Sequence, residues 1–94
     1  MSKVVDAAVA ALDPKAKGFD GTAKFVIEGE GAVYIDASGA RAADDEADVT
    51  LTASRETFEG LLSGDVNPTM AFMTGKLKVD GAMGTAIKLG ALLG

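Results

Sequence analysis

The sequence predicts an α+β fold, with a single, mainly antiparallel sheet and helices packed on its one apolar face. Residues 22–28, 32–37 and 48–53 alternate apolar and polar side chains, which is typical of strands with one wet face. Helical spacing then follows, interrupted by one more alternating run at 76–80 and completed by a last helix over 82–93. Strands followed by helices in this order indicate an α+β domain.

The first predicted element is an amphipathic helix over residues 2–12, which Pro14 is expected to end. Lys3 and the apolar residues after it imitate a signal peptide, but Asp6 interrupts the run and the run is short for such a segment. No stretch reaches the roughly 18 apolar residues of a membrane span. We therefore expect a soluble, cytoplasmic protein.

Three strands are predicted to follow as an antiparallel meander. Phe25 lies on the inner face of the first strand, and Gly29 and Gly31 supply the hairpin, because glycine reaches positive φ without strain. Residues 40–47 are small and acidic, and we interpret them as a loop with a short edge strand at its start. The third strand of the meander is 48–53.

Two short helices and a long one complete the predicted fold. Ser54 is expected to cap the first short helix and Gly64 to end it. Asn67 is the expected N-cap of the second, with Pro68 in the first helical position. The last helix, 82–93, is apolar nearly all round, so it must be buried or must contact something apolar other than its own sheet.

The composition fits one domain over residues 1–94 and argues against several classes of protein. Histidine is absent, which removes the usual general base and the usual ligand of transition metals. Cysteine is absent too, so disulfides and thiolate metal sites are excluded. A net charge of −5 repels phosphate, which predicts no nucleic-acid partner and at most transient contact with membranes.

No group of residues supports catalysis, a cofactor or a metal. The serines have no histidine to activate them, and Lys76 and Lys78 lie on a strand face that we predict to be wet. The carboxylates of residues 44–48 fail the calcium-loop pattern, because Val49 stands where that pattern needs glycine. We interpret them as a solvated loop and predict that the chain is not an enzyme.

Two patterns in the last third of the chain bear on ligands. Residues 81–84 resemble the GXXG loop of the KH RNA-binding domain, but Asp80 precedes them and none of them is basic, which leaves RNA binding a remote alternative. Met70, Met73 and Met83 fall within fourteen residues. Flexible thioethers suit a pocket for apolar ligands, although a stripe of this kind is more often plain core.

A longer pattern covers the segment from Gly64 to Leu89 and resembles the signature of the sterol carrier protein type 2 domain, a family of non-specific lipid-transfer modules. The residues that carry the resemblance are Gly64, Asn67-Pro68, Ala71-Phe72, Gly75 to Lys78, Gly81, Met83-Gly84 and Lys88-Leu89. The match extends more loosely back to the strand of Phe25, so it includes nearly the whole chain.

The resemblance implies a sheet of about five strands backed by helices that enclose an apolar tunnel. It also implies binding, and transfer between membranes, of fatty acids, fatty acyl-CoA, phospholipids or sterol-like molecules. Transferred position by position, the tunnel walls are Phe72, Met73, Leu77, Met83 and Ile87, with Met70, Leu61 and Leu62 as neighbours. The resemblance thus favours a ligand pocket over plain core.

The end of the sequence adds two expectations. Leu93-Gly94 is not the peroxisomal tripeptide of eukaryotic members, which fits a bacterial-type protein. The last helix is short, so its apolar back is expected to be exposed and to favour a homodimer. The alternative functions are a protein-interaction module and an auxiliary domain that presents acyl substrates to a partner enzyme.

Overall fold

The computed structural model describes residues 3–93, which form four helices and five strands. In chain order they are α1 (Lys3–Ala16), β1 (Ala23–Ile27), β2 (Gly31–Asp36), β3 (Gly39–Ala42), β4 (Val49–Ala53), α2 (Arg55–Ser63), α3 (Pro68–Met73), β5 (Leu77–Gly81) and α4 (Met83–Leu93). The predicted α+β class is confirmed. None of these helices combines the length and the apolarity needed to cross a membrane.

The strands form one sheet in the order β3-β2-β1-β4-β5. Three of the four pairings are antiparallel, but β1 and β4 are parallel, with Phe25 beside Leu51. The sheet is therefore mixed. The predicted meander was wrong in its third strand: β3 occupies that place, and β4 lies on the other side of β1.

Two hydrogen bonds between Thr22 and Asp48 explain the parallel pairing. The Asp48 backbone N donates to Thr22 Oγ1 at 2.9 Å, and the Thr22 backbone N donates to Asp48 Oδ2 at 3.2 Å. These residues immediately precede β1 and β4, so the bonds hold the two strand starts side by side. Strands that start together at one edge of a sheet run in the same direction.

One hydrophobic cluster joins the inner face of the sheet to all four helices. At its centre Phe25 of β1 contacts Phe58 of α2, with ring centroids 4.5 Å apart and planes tilted by 59°. Tilted aromatic pairs of this kind add about 0.5–1.5 kcal/mol to the effect of burial. The strand residues facing this cluster are those that the alternating pattern predicts, including Leu51 and Leu77.

The first helix is longer than predicted. We expected Pro14 to end it, but α1 continues to Ala16 with Pro14 in its last turn. Leu12 and Ala16 are both fully buried, one turn apart. Their packing against the core stabilises the final turn although proline removes a hydrogen bond from it. The chain then turns away from the helix at Gly18, whose φ is +84°.

The predicted helix caps are confirmed. Ser54 Oγ accepts a hydrogen bond from the backbone N of Thr57 at 3.2 Å, and Gly64 adopts the left-handed conformation after α2. Asn67 Oδ1 accepts bonds from the backbone N of Thr69 at 2.8 Å and of Met70 at 3.2 Å. These caps fix the two turns that place α3 over the edge of the sheet.

Candidate functional site

An apolar cavity of about 570 Å³ lies between α3, α4 and the strands β4 and β5. Its floor consists of Leu51, Leu77 and Val79, and Leu51 lies directly opposite Val79 in the antiparallel register. These side chains face inward because the strands alternate, with threonines or charged residues on the other face of the sheet. The volume falls within the range of about 300–1,000 Å³ typical of small-molecule sites.

Helix α4 forms one wall with a single stripe of side chains. The stripe consists of Met83, Ala86, Ile87, Gly90 and Ala91, at positions i, i+3, i+4, i+7 and i+8 of the helix. The first half of the stripe contains its two large residues, Met83 and Ile87, and the second half consists of Gly90 and Ala91. The space beneath the second half exists because these positions have small side chains or none.

Helix α3 forms the opposite wall through Pro68 and Phe72, with Asn67 and Thr69 at its start. Asn67 and Thr69 are the polar side chains of the lining, and both are exposed to solvent. Among the described residues, no charged side chain lines the cavity. Such a site binds through removal of apolar surface from water, at about 25 cal/mol per Å².

The cavity is open to solvent along α4. Ile87 is 71% exposed and Met83 is 50% exposed, although both line the cavity. Phe72, on the opposite wall, is 45% exposed. The part of the chain that the structure describes thus forms an open cleft, and the enclosed tunnel stays a prediction.

The sequence matches the SCP-2 sterol transfer family over residues 3–94. The chain belongs to this family. Hydroxysteroid dehydrogenase-like protein 2 of Xenopus tropicalis is 37% identical to it over 86 residues, which cover 83% of this chain and 21% of that protein. The chain spans about a fifth or less of the length of the curated relatives that it matches.

Solved structures of the SCP-2 family share the fold. The sterol carrier protein domain 2 of Helicoverpa armigera is 32% identical, with a TM-score of 0.66, and the match covers 81% of this chain and 68% of that one. The sterol carrier protein-2 of Aedes aegypti, solved as a complex with palmitate, has a TM-score of 0.74 and 23% identity. That match covers 99% of this chain and 96% of the other.

The structure brings four of the eight predicted site residues of this SCP-2 domain together. Phe72, Leu77, Met83 and Ile87 all line the cavity. They come from α3, β5 and α4, three consecutive elements of the chain that line the same cavity.

The other four predicted residues lie outside this lining. Met70 and Met73 are on α3, 56% and 72% exposed, and Leu61 is fully buried in the core. Leu62 lines a second groove, of about 250 Å³, between α1 and α2. Their assignment as neighbours of a bound ligand stays a prediction.

Sequence reasoning missed several lining residues of the SCP-2 cavity, above all the small ones on α4. Ala86, Gly90 and Ala91 follow Met83 at helical spacing, and that spacing was visible in the sequence. It was overlooked because small residues offer no side chain as a binding group. Leu51 was also missed, since it comes from a strand whose partner could not be read from the sequence.

The charged side chains of residues 3–93 lie outside the cavity lining. Lys88 Nζ binds Asp20 at 2.9 Å, and this hydrogen bond lowers the pKa of the Asp20 carboxyl. In the acidic loop, Asp44 pairs with Lys24 at 2.8 Å. Across residues 3–93, no group of three or more acidic side chains comes together as metal ligands would.

Proposed function

We propose that this SCP-2 domain binds the apolar part of a lipid in the cavity between α3, α4 and the sheet, and carries that lipid between membranes. The observation that supports this most directly is the cavity itself: about 570 Å³, floored by Leu51, Leu77 and Val79, with an uncharged lining among the described residues. The ligands are fatty acids, fatty acyl-CoA, phospholipids or sterol-like molecules. The role is non-catalytic.

The binding energy comes from burial of hydrocarbon. Each methylene group removed from water contributes about 0.8 kcal/mol, so an acyl chain binds without many polar contacts. Specificity for the polar head is then loose, because among the described residues of the lining only the solvent-exposed Asn67 and Thr69 offer polar side chains. Met83 and Phe72 adapt to different chain shapes through rotation of flexible or planar side chains.

Two comparisons support a lipid ligand. The family to which the chain belongs is described as a sterol transfer family. The Aedes aegypti structure, which shares the fold at a TM-score of 0.74, holds palmitate, a fatty acid of sixteen carbons. Palmitate is accordingly the first ligand to test.

The test has two parts. The purified chain is extracted with organic solvent and the extract analysed by mass spectrometry, and the delipidated chain is then titrated with a fluorescent fatty acid. We expect co-purified lipid, and probe binding that unlabelled palmitate displaces. A clean extract, no probe binding and a tight dimer would instead favour a protein-interaction module.

A second function has an observation of its own. The chain spans about a fifth of the Xenopus relative, whose name describes it as hydroxysteroid dehydrogenase-like. A domain of this kind joined to an enzyme would present acyl substrates to it. The test adds the chain to an acyltransferase or a thiolase that acts on long-chain acyl-CoA. A higher rate at limiting substrate supports presentation, and an unchanged rate contradicts it.

A further inference from the structure

The two edges of the sheet differ in how they are covered. At the edge formed by β3, helix α1 packs against the strand, and Asp13 Oδ1 accepts a hydrogen bond from the backbone N of Ala40 at 2.9 Å. A Cβ atom added to Gly39 would overlap this carboxylate. At the other edge, within residues 3–93, β5 pairs with β4 alone. An edge strand with free backbone groups is a template on which another strand can pair.

The register of β4 with β5 shows which backbone groups face the open side. The backbone N of Ala82 donates to the carbonyl oxygen of Asp48 at 2.9 Å, and these two residues continue the register of the strands. Hydrogen-bonded and non-hydrogen-bonded pairs alternate along an antiparallel ladder. Lys78 and Asp80 therefore bond to β4 through their backbones, whereas the N–H and C=O groups of Val79, between them, point away from β4. Val79 thus offers one donor and one acceptor at the open edge.

Two side chains of opposite charge flank Val79 on the face of the sheet away from the helices. Lys78 and Asp80 are both exposed. Their neighbours on β4 are Thr52 and Thr50, which are uncharged. In the described part of the chain, neither Lys78 nor Asp80 forms an ion pair. The open edge therefore presents a positive and a negative charge placed symmetrically about Val79.

We propose that β5 pairs with β5 of a second copy of this chain, antiparallel and centred on Val79. In this register Val79 exchanges two backbone hydrogen bonds with the partner's Val79. The pairs on either side are non-hydrogen-bonded, and in such pairs opposite side chains lie closest. Lys78 then lies opposite the partner's Asp80, and Asp80 opposite the partner's Lys78. A second copy is favoured over a strand of another protein because the edge is its own complement, as a two-fold interface requires.

Helix α3 contributes apolar surface to the same interface. It packs on β5, whereas α4 packs on β4 and β1 as well as on β5. The two-fold axis of the paired strands is perpendicular to the sheet, so the helices of both copies lie on the same face and the two α3 helices become neighbours. Met70 and Met73 of α3 are exposed and lie outside the cavity lining. Contact between the copies covers part of these side chains and leaves the cavity opening along α4 free.

The experiment measures the dissociation constant of the dimer by sedimentation equilibrium at constant ionic strength. Lys78→Glu places two pairs of carboxylates in the interface, and Asp80→Lys places two pairs of lysines there. A mixture of the two variants forms a dimer in which each pair again has opposite charges. The control is Lys17→Glu, which changes the net charge as Lys78→Glu does but alters an exposed lysine just after α1. Circular dichroism checks the fold of every variant.

We expect each single variant to associate about 30-fold more weakly than the unsubstituted chain, because two attractive cross-strand pairs become repulsive. The mixture should regain most of this affinity, and so should a chain in which Lys78→Asp and Asp80→Lys exchange the two charges. An unsubstituted chain that stays monomeric at millimolar concentration, equal losses for Lys17→Glu and Lys78→Glu, or a mixture no tighter than its components would overturn the proposal. The fatty-acid titration measures the cavity separately, so retained probe binding shows that such a failure concerns the sheet edge and not the proposed lipid binding.

Discussion

Gly90 of α4 faces Pro68 of α3 across the cavity, and a Cβ atom added to Gly90 would lie 3.8 Å from the Pro68 Cβ. That distance is ordinary van der Waals contact, so alanine fits at this position. A longer side chain would extend beyond this contact into the cavity that both residues line. Gly90 therefore sets how much of the space between the two helices a ligand can use.

Gly90→Leu is expected to reduce binding of long acyl chains. If the new side chain displaces two methylene groups of the ligand, binding weakens by about 1.6 kcal/mol, or roughly fifteenfold, at about 0.8 kcal/mol for each group. Shorter chains should lose less. The measurement is displacement of a fluorescent fatty acid by a series of unlabelled acids of increasing length.

Gly84→Leu is the matched control for this substitution. Gly84 is in the same helix but outside the cavity lining, and a Cβ added there meets nothing within 4 Å. Binding by Gly84→Leu should equal that of the unsubstituted chain. Equal effects of the two substitutions on binding, or no change in chain-length preference for Gly90→Leu, would show that Gly90 does not limit the cavity.

Met83→Glu should abolish fatty-acid binding while the chain remains folded. Met83 is half exposed and lines the cavity, so the carboxylate can reach solvent in the empty protein but would be trapped beside hydrocarbon when a ligand binds. Met73→Glu is the control, because Met73 is more exposed and lies outside the lining. Fluorescence titration measures binding, and circular dichroism checks the fold. Retained affinity in Met83→Glu would remove this residue from the binding wall.

Substitution of two phenylalanines should distinguish an effect on the free energy of unfolding from an effect on ligand binding. Phe58 is 1% exposed and contacts Phe25 in the core, so Phe58→Ala is expected to reduce the free energy of unfolding by about 3–5 kcal/mol. Phe72→Ala removes a half-exposed cavity residue and should cost about 1 kcal/mol or less while weakening ligand binding. Urea unfolding of the ligand-free variants gives the first quantity and probe titration the second. A larger loss of stability for Phe72→Ala would contradict the assignment.

Local sequence patterns predicted the elements of the fold well. The alternation in β1 and β4 identified the residues that face the core, and the side chains of Ser54 and Asn67 identified two helix starts. These features depend on residues close together in the chain. The parallel pairing of β1 with β4 was missed, because alternation shows which face a residue occupies but not which strand lies beside it. The bonds between Thr22 and Asp48 that decide the pairing join residues 26 positions apart.

The cavity could be predicted only in part. Leu77 lies in a strand whose alternation of apolar and polar residues shows its orientation, and it lines the cavity. Helix α3 has six residues, too few for periodicity to show which of Met70, Phe72 and Met73 faces inward. The structure turns Phe72 toward the cavity and leaves the two methionines outside the lining. The space itself results from Gly90 and its small neighbours, and an absent side chain gives a weak signal in a sequence.

Asp36 gives a prediction about pH. Its Oδ1 accepts hydrogen bonds from Ser38 Oγ at 2.6 Å and from the Ser38 backbone N at 3.0 Å, and its Oδ2 accepts one from Arg41 Nη1 at 2.9 Å. These bonds, led by that from the Ser38 hydroxyl, lower the pKa of Asp36 from 3.8 to about 2. The Asp36 carboxyl of the folded state therefore holds its proton less tightly than that of the unfolded state. Ionised Asp36 stabilises the folded state above pH 3.8, and this stabilisation is lost as the pH falls toward 2.

Ser38→Ala and Arg41→Met should therefore each raise the pKa of Asp36, because the bonds from the Ser38 hydroxyl and from the Arg41 guanidinium are the two largest causes of the shift. The backbone N of Ser38 still donates in both variants, so neither returns the pKa fully to 3.8. The carbon-13 shift of the Asp36 carboxyl, followed by NMR as the pH is lowered, measures the pKa directly. An unchanged pKa in Arg41→Met would mean that the guanidinium, held 4.5 Å from the centre of the Tyr34 ring, does not contribute to the shift.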